Sequence, residues 1–323
     1  MDYRLCARFD KLRSYLPDEL NISTSNDIHS LGNAKNYCPN GDSGETECKT
    51  DLDKINAGCL WLFEQNVVNR ISTLSKDHSK VFIIYVMIWL DHMLNLKKNE
   101  KIKNLNDFYE GHIKNNTHYT KCNKKNNSNN YEDCSNKLND KTGYNNFKEF
   151  IDANKCLMDI DINDVPNLYA GFKSLCKMYT ELDSNDKTSK KYLENAKEFV
   201  KTYDELNKNS NITKDSPYYK VLSTLSNDYN NFKSYCNKNK INCSDIQSLS
   251  PIKVKENSVQ SSAHNHVHDS GVTSSSSSIT NKLIPVLSII VAIPIFLGIF
   301  YKYSLFGFRK RTQKRHLREK IKK

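Results

Sequence analysis

Ten cysteines carry the most reactive side chains of this 323-residue sequence, and all of them lie in its first 243 residues. Thiols pair as disulfides in oxidising compartments, bind zinc, or stay reduced in a protein core. No Cys-x-x-Cys pair occurs, and the closest spacing is Cys236 to Cys243, which disfavours zinc. The distribution therefore favours disulfides in an oxidising space, with ten buried reduced thiols as the alternative. The candidate disulfide cysteines are Cys6, Cys38, Cys48, Cys59, Cys122, Cys134, Cys156, Cys176, Cys236 and Cys243.

Histidines and glycines give no pattern of an enzyme. His264, His266 and His268 alternate in a serine-rich segment, where a weak metal site is possible but solvated polar sequence is commoner. The chain has ten glycines, yet no Gly-rich phosphate loop, HExxH helix or GxSxG elbow. We therefore predict no catalytic residue, no cofactor-binding residue and no metal site, and a hydrolase is the least favoured function.

Helical periodicity runs through residues 1–243, which we predict to form a mainly α, cysteine-bearing ectodomain. Apolar residues recur there at steps of three and four. The stripes are Leu60, Phe63, Val67, Ile71 and Leu74; Leu168, Phe172, Leu175, Tyr179 and Leu182; Leu193, Ala196, Val200 and Tyr203; and Leu222, Leu225, Tyr229, Phe232 and Cys236.

One segment, Val81 to Leu90, is apolar on every side and ends at Asp91. Its ten residues are too few to cross a membrane. We predict a central helix surrounded by the others, with Trp61 and Trp89 as large core residues. A buried strand is the alternative for so short a run, although Met93 to Leu96 extends it at helical length.

Two polar stretches are each flanked by a pair of cysteines. CPNGDSGETEC runs from Cys38 to Cys48, and an Asn- and Lys-rich stretch separates Cys122 from Cys134. Such composition is typical of loops. We expect both stretches at the surface.

The last eighty residues predict a membrane anchor. Residues 244–282 have the composition of a disordered, flexible Ser- and His-rich stalk. Residues 283–301 contain no charge and suffice for one transmembrane helix, with a buried core helix as the alternative. Residues 302–323 form a short basic tail, which stays cytoplasmic and leaves the N-terminus outside. The membrane-proximal basic residues are Arg309, Lys310, Arg311, Lys314, Arg315 and Arg318.

The basic charge of the chain belongs to this tail. The net charge is +11, and the tail's ten Lys and Arg against Glu319 leave only +2 for residues 1–301. A near-neutral folded part gives no support for nucleic-acid binding. The tail attracts anionic lipid at about 1 kcal/mol per basic residue, fixes topology, or is recognised by a sorting machine.

The first twenty residues lack the apolar region of a cleaved signal peptide. We therefore expect the hydrophobic helix to act as its own export signal, unless another route is used.

Several segments together resemble the Plasmodium interspersed repeat (PIR) family of variant surface antigens, in the form carried by rodent malaria parasites. The most specific are SSSSSITNKLIPVLSIIVAIPIFLGIFYKYSLFGFRKR at 274–311, YYKVLSTLSNDYNNFKSYC at 218–236 and IYVMIWLDHMLNL at 84–96. LCKMYTEL at 175–182 and the segment from Cys6 to Leu20, which ends in YLPDEL, add to the resemblance.

The resemblance implies an α-helical ectodomain, export without an ordinary signal peptide, and exposure at or near the infected red-cell surface. It also implies antigenic variation and binding of a host-cell receptor or antibodies. The protein would lie in the infected host-cell membrane or the parasite membrane. No binding residue carries over, and the oligomeric state stays open. The alternatives are an adhesin for one specific host receptor, or a membrane-remodelling or transport accessory protein that acts through span and tail in the lipid bilayer.

Overall fold

The computed structural model describes residues 1–41, 44–97, 102–126, 128, 130–182, 190–209 and 212–255. The chain divides into two units, Met1–Ser258 and Val259–Lys323, and only the first contains described residues. The predicted transmembrane helix, the basic tail with Arg309 to Arg318, and the stalk beyond residue 255 lie outside the described residues.

The described part is mainly α, as predicted. Ten α-helices follow one another in it, with short 3-10 turns, one π turn and a small hairpin between them. The helices are α1 Tyr3–Arg13, α2 Asp51–Asn66, α3 Lys76–Leu96, α4 Leu105–Phe108, α5 Thr117–Thr120, α6 Ser135–Thr142, α7 Phe147–Asp152, α8 Val165–Glu181, α9 Lys191–Leu206 and α10 Pro217–Lys238.

Polar caps fix where the long helices begin. Thr50 and Asp53 form a reciprocal capping box at the start of α2, and Ser75 accepts from the His78 amide at the start of α3. Ser216 caps α10 in the same way, with Pro217 at the first helical position. Each cap satisfies a backbone amide that has no partner inside its helix, which typically contributes about 1 kcal/mol.

Helix α3 lies at the centre of the domain and packs against α2 and α8. By length and composition it could span a membrane, but its most apolar window is 72% buried among the other helices. The Val81 to Leu90 prediction is thus confirmed as a core helix, and the strand alternative is wrong. Trp61 and Trp89 are 3% and 0% exposed.

Aromatic rings join α1, α3 and α8 at this centre. The Phe9 ring meets Phe172 edge to face, with centroids 4.8 Å apart, and Tyr85 stacks on Phe172 at 4.3 Å. Gly58 lets α2 approach, because a Cβ there would lie 3.2 Å from the Leu12 side chain and 3.4 Å from Trp89. The disulfide between Cys6 and Cys176 then links α1 to α8 across 170 residues of chain.

Two boundaries differ from the sequence prediction. The stripe from Leu60 to Leu74 is not one helix, because α2 ends at Asn66 and a 3-10 helix, Val68–Thr73, follows. The domain also continues beyond Cys243 to residue 255.

Residues 244–255, which the sequence assigns to the flexible stalk, pack against α9 and α10. Ile246 is 4% exposed. The phenols of Tyr229 and Tyr203 donate to the Gln247 and Ser250 carbonyls, and Asn207 Nδ2 donates to the Pro251 carbonyl. Side-chain donors on the helices hold this segment through its backbone.

Candidate binding surface

Eight of the ten candidate cysteines form four disulfides in the described residues. They are Cys6–Cys176, Cys38–Cys48, Cys122–Cys134 and Cys236–Cys243. The other two are free: Cys59 is buried in α2, and Cys156 is exposed. Burial raises the pKa of the Cys59 thiol to about 12, so it stays protonated and unreactive.

The stretch between Cys122 and Cys134 is a β-hairpin rather than an irregular loop. Strand β1, Asn123–Lys125, pairs antiparallel with β2, Tyr131–Asp133. The disulfide closes the open end of the hairpin, where the Cys134 amide also donates to the Cys122 carbonyl. The cysteines are 1% and 2% exposed, whereas Tyr131 is 55% exposed. The hairpin is therefore anchored in the core at its base and presented to solvent beyond it.

The Cys38–Cys48 segment is closed by its own disulfide and held by His29. The Cys48 amide donates to His29 Nε2 at 2.9 Å, and Nδ1 of the same ring lies 2.5 Å from Asp27 Oδ1. Donor atoms of His29, Cys38 and Cys48 lie within 4.8 Å of one another, an arrangement that suits a metal ion. Both sulfur atoms are in the disulfide, however, so neither is a thiolate ligand.

Side chains just before the first disulfide-closed segment contact side chains within and just before the second. Asn36 Nδ2 donates to the Tyr131 hydroxyl at 3.0 Å, across 95 residues of chain. The Tyr37 ring packs edge to face on His118, with centroids 5.2 Å apart. We call segments 36–48 and 118–134, with the cavity between them, the loop face.

The cavity of the loop face has a volume of about 480 Å³, within the range of about 300–1,000 Å³ typical of ligand sites. Leu60, Phe63 and Val68 supply apolar walls, and Lys121 and Lys125 line it from the hairpin side. It is thus an apolar recess with basic groups contributed by the exposed segment.

A carboxylate also lines this cavity. Glu64 of α2 is 6% exposed, and its Oε1 accepts a 2.8 Å hydrogen bond from Asn33 Nδ2. Burial, then the Glu64 carboxylate and Tyr131, raise the pKa of Tyr37 well above its usual value. Burial lowers the pKa of His118. Tyr37 and His118 are therefore neutral at pH 7, and the cavity offers one carboxylate and two ammonium groups to a ligand.

Sequence reasoning found the cysteines and the polar stretches of this surface but missed Asn36, Tyr37 and Glu64. Glu64 carried a signal, because it lies four residues after Leu60 and so interrupts an apolar stripe of α2 with a charge. Asn36 and Tyr37 carried none, since nothing local indicates contact with residues more than eighty positions away.

Comparison with known proteins identifies the family. The family described as Plasmodium variant antigen protein Cir/Yir/Bir matches residues 6–302. The chain belongs to this family, the PIR family. A solved structure described as "Structure of a Plasmodium PIR protein ectodomain" matches it with 30% identity and a TM-score of 0.57, over 78% of this chain and 98% of that one. No curated protein matches it.

The predicted PIR resemblance is therefore confirmed over nearly the whole chain. The solved PIR relative is an ectodomain by its own description, and almost all of it aligns. Its likeness supports the helical architecture described above for this PIR chain.

Proposed function

We propose that this PIR protein is a non-enzymatic variant surface antigen, displayed at or near the infected red-cell surface and acting in antigenic variation and host interaction. In this proposal the helix at 283–301 anchors it in the lipid bilayer, with the N-terminal domain outside and the basic tail in the cytoplasm. Membership of the variant antigen family supports the class. The loop face supports the proposed role in antigenic variation and host interaction.

The observation that carries the proposal is the contrast between the base and the exposed part of the hairpin. Cys122 and Cys134 are buried and covalently joined, while strand β2 is exposed at all three residues. A change in an exposed side chain there alters few buried contacts, so it costs little stability. The segment can accept sequence change that antibodies detect, because binding surfaces on loops vary without harm to the scaffold.

An adhesin for one host receptor is the second candidate, and the cavity favours it. A recess with apolar walls, a buried carboxylate and two lysines provides directional contacts, whereas display alone needs no recess. A receptor that inserts a side chain into the cavity would depend on Glu64. The matched pair Glu64→Gln and Glu19→Gln, with Glu19 exposed outside the loop face, therefore separates adhesion from display.

Protease accessibility on intact infected red cells tests display and orientation. One epitope is inserted between Ser270 and Gly271, and a second is placed after Lys323. External protease should remove the first and spare the second, and permeabilisation should expose both. Protection of both epitopes on intact cells, or removal of the second alone, contradicts the proposal.

Binding of the purified protein to red cells, leukocytes and endothelial cells tests the adhesin. Adhesion requires saturable binding to one cell type that Glu64→Gln weakens and Glu19→Gln leaves unchanged. Equal binding by both variants, or no binding at all, leaves display as the function.

A further inference from the structure

A second recess, away from the loop face, lies between α3, α7 and α10. Its volume is about 440 Å³. Val81, Ile83 and Ile84 of α3 form one wall, and Tyr144 and Phe150 face them from the segment around α7. We call this recess the lysine groove, after the charged residues that line it.

The polar residues of the lysine groove leave its floor effectively apolar. Ser79 and Thr142 turn their hydroxyls onto the backbone carbonyls of Lys76 and Leu138, each at 2.8 Å. Thr224 does the same to the Lys220 carbonyl at 2.8 Å. Because these hydroxyls already donate within the protein, they offer no free donor to a ligand in the recess.

Charge in the groove has one sign. Lys76, Lys80 and Lys220 line it, and none of its described lining residues is acidic. Lys76 and Lys80 are four residues apart on α3, so they lie on the same face one turn from each other. Lys220 reaches in from α10 and donates to Asn154 Oδ1 at 2.8 Å. An apolar recess with an unopposed basic rim is complementary to a molecule that has a hydrocarbon chain and an anionic end.

We propose that the lysine groove binds a free medium-chain fatty acid, with the chain along Val81, Ile84 and Phe150 and the carboxylate among the three lysines. The concave shape favours a single free chain over a bilayer, because a membrane surface is flat. The site is separate from the loop face, so it does not depend on the function proposed above.

The exposed thiol of Cys156 supplies a local reporter. Its Sγ lies 4.0 Å from Lys220 Nζ, at the edge of the groove, while Cys59 is buried and unavailable to a maleimide. The full chain is placed in phosphatidylcholine nanodiscs and labelled at Cys156 with a fluorophore. A nitroxide-bearing dodecanoate is then added, which quenches the label only when it lies close. Label coupled to an empty-nanodisc scaffold corrects for quenching by lipid-dissolved probe.

Competition with unlabelled compounds identifies the ligand class. Dodecanoate should displace the probe about 15-fold more strongly than decanoate, since each methylene that enters the groove is worth about fourfold in affinity. Dodecanol and dodecyltrimethylammonium should compete far more weakly, because they lack the negative charge. Equal competition by all four compounds, or no quenching at all, overturns the proposal.

Three variants test the location. Lys80→Glu should weaken probe binding about tenfold, because it replaces an attraction by a repulsion. Ala153→Trp should fill the groove from an exposed position and abolish quenching without opening the core. Lys238→Glu is the matched control, eighteen residues along α10 from Lys220 and so about 27 Å away. An equal effect of Lys80→Glu and Lys238→Glu contradicts a site in the groove. So does a response of the label to phosphatidylserine nanodiscs but not to free dodecanoate, which assigns the groove to a bilayer.

Discussion

Tyr85 donates a 2.7 Å hydrogen bond to Asp228 Oδ2, while the Met1 amino group lies 2.6 Å from Oδ1 of the same carboxylate. Asp228 is 2% exposed, so this carboxylate joins α3, α10 and the start of the chain inside the core. A buried charge is tolerated only when its partners are present.

Asp228→Asn should therefore lower the free energy of unfolding by about 3 kcal/mol or more, since it leaves the Met1 ammonium buried without its counter-charge. Tyr85→Phe removes one hydrogen bond to a charged group and should cost about 1.5–3 kcal/mol. Urea unfolding followed by circular dichroism measures both. A loss below about 1 kcal/mol for Asp228→Asn would show that the pair contributes little.

Asp91 gives the stability a pH dependence of known sign. Burial raises the pKa of this carboxyl to about 7, against about 3.9 in an unfolded chain. The folded state thus prefers the protonated carboxyl. The stability that this preference contributes is fully present below about pH 4 and is lost as the pH rises through about 7. Asp91→Asn keeps the neutral state at every pH.

The stability gain of Asp91→Asn over the parent should accordingly grow by about 2.5 kcal/mol between pH 5 and pH 8. Urea unfolding of both proteins at the two pH values measures this difference. His92, whose pKa burial lowers, is present in both proteins, so its titration cancels in the comparison. A difference that is the same at both pH values would mean that Asp91 is ionised in the fold.

The four disulfides should contribute unequally to stability. Cys6–Cys176 closes 170 residues and Cys122–Cys134 closes 12. Loop-closure entropy assigns about 5 kcal/mol to the first and about 3 kcal/mol to the second. Paired Cys→Ser replacement at each disulfide, compared by thermal unfolding, should reproduce this order. The reverse order would indicate that local strain, and not chain entropy, decides the contribution.

Alkylation of the native, unreduced protein should modify Cys156 alone among the cysteines. Cys59 should react only after unfolding, because its thiol is buried with a pKa of about 12. Mass spectrometry of the alkylated protein counts the modified sites. Ten free thiols in native material would contradict an oxidising environment for the domain.

Replacement of residues 123–133 by Gly and Ser, with Cys122 and Cys134 retained, should leave the helical fold intact. Tyr131 is exposed, and among the described residues its hydroxyl bonds Asn36 across the loop face, so little burial energy is lost. The unfolding midpoint should fall by no more than about 2–4 °C. Thermal circular dichroism measures the midpoint.

Recognition of the same variant by sera against the native domain should decrease. The control replaces the exposed residues 20–23, outside the loop face, in the same way. If the control loses as much recognition as the hairpin variant, the display surface is not the loop face.

The helices could be predicted from local sequence, because each buried face is a stripe of apolar residues within one segment. Helix α3 is the clearest case, since its apolar run and its length both come from neighbouring residues. The packing of residues 244–255 against the helices could not be predicted from local pattern. This segment has no helix or strand and is held through its own backbone by Tyr203, Asn207 and Tyr229, and hydropathy does not register such contacts.

The sequence likewise predicted some features of the candidate binding surface and gave no sign of others. The short disulfides lie within polar stretches that already looked like surface loops. Cys6–Cys176 and the Asn36–Tyr131 contact depend on how helices pack, so residue spacing gave no indication of either. The sequence also did not indicate that Cys59 and Cys156 stay unpaired while the other eight cysteines form disulfides.

Helix α3 has the length and the mean hydropathy, 1.3, of a membrane span, and only its burial by α2 and α8 distinguishes it from one. Under the membrane anchoring proposed above, a translocation channel would meet the chain before that burial exists and would find two apolar segments, this helix and residues 283–301. The proposed topology then requires folding around α3 to be faster than insertion of α3 into lipid.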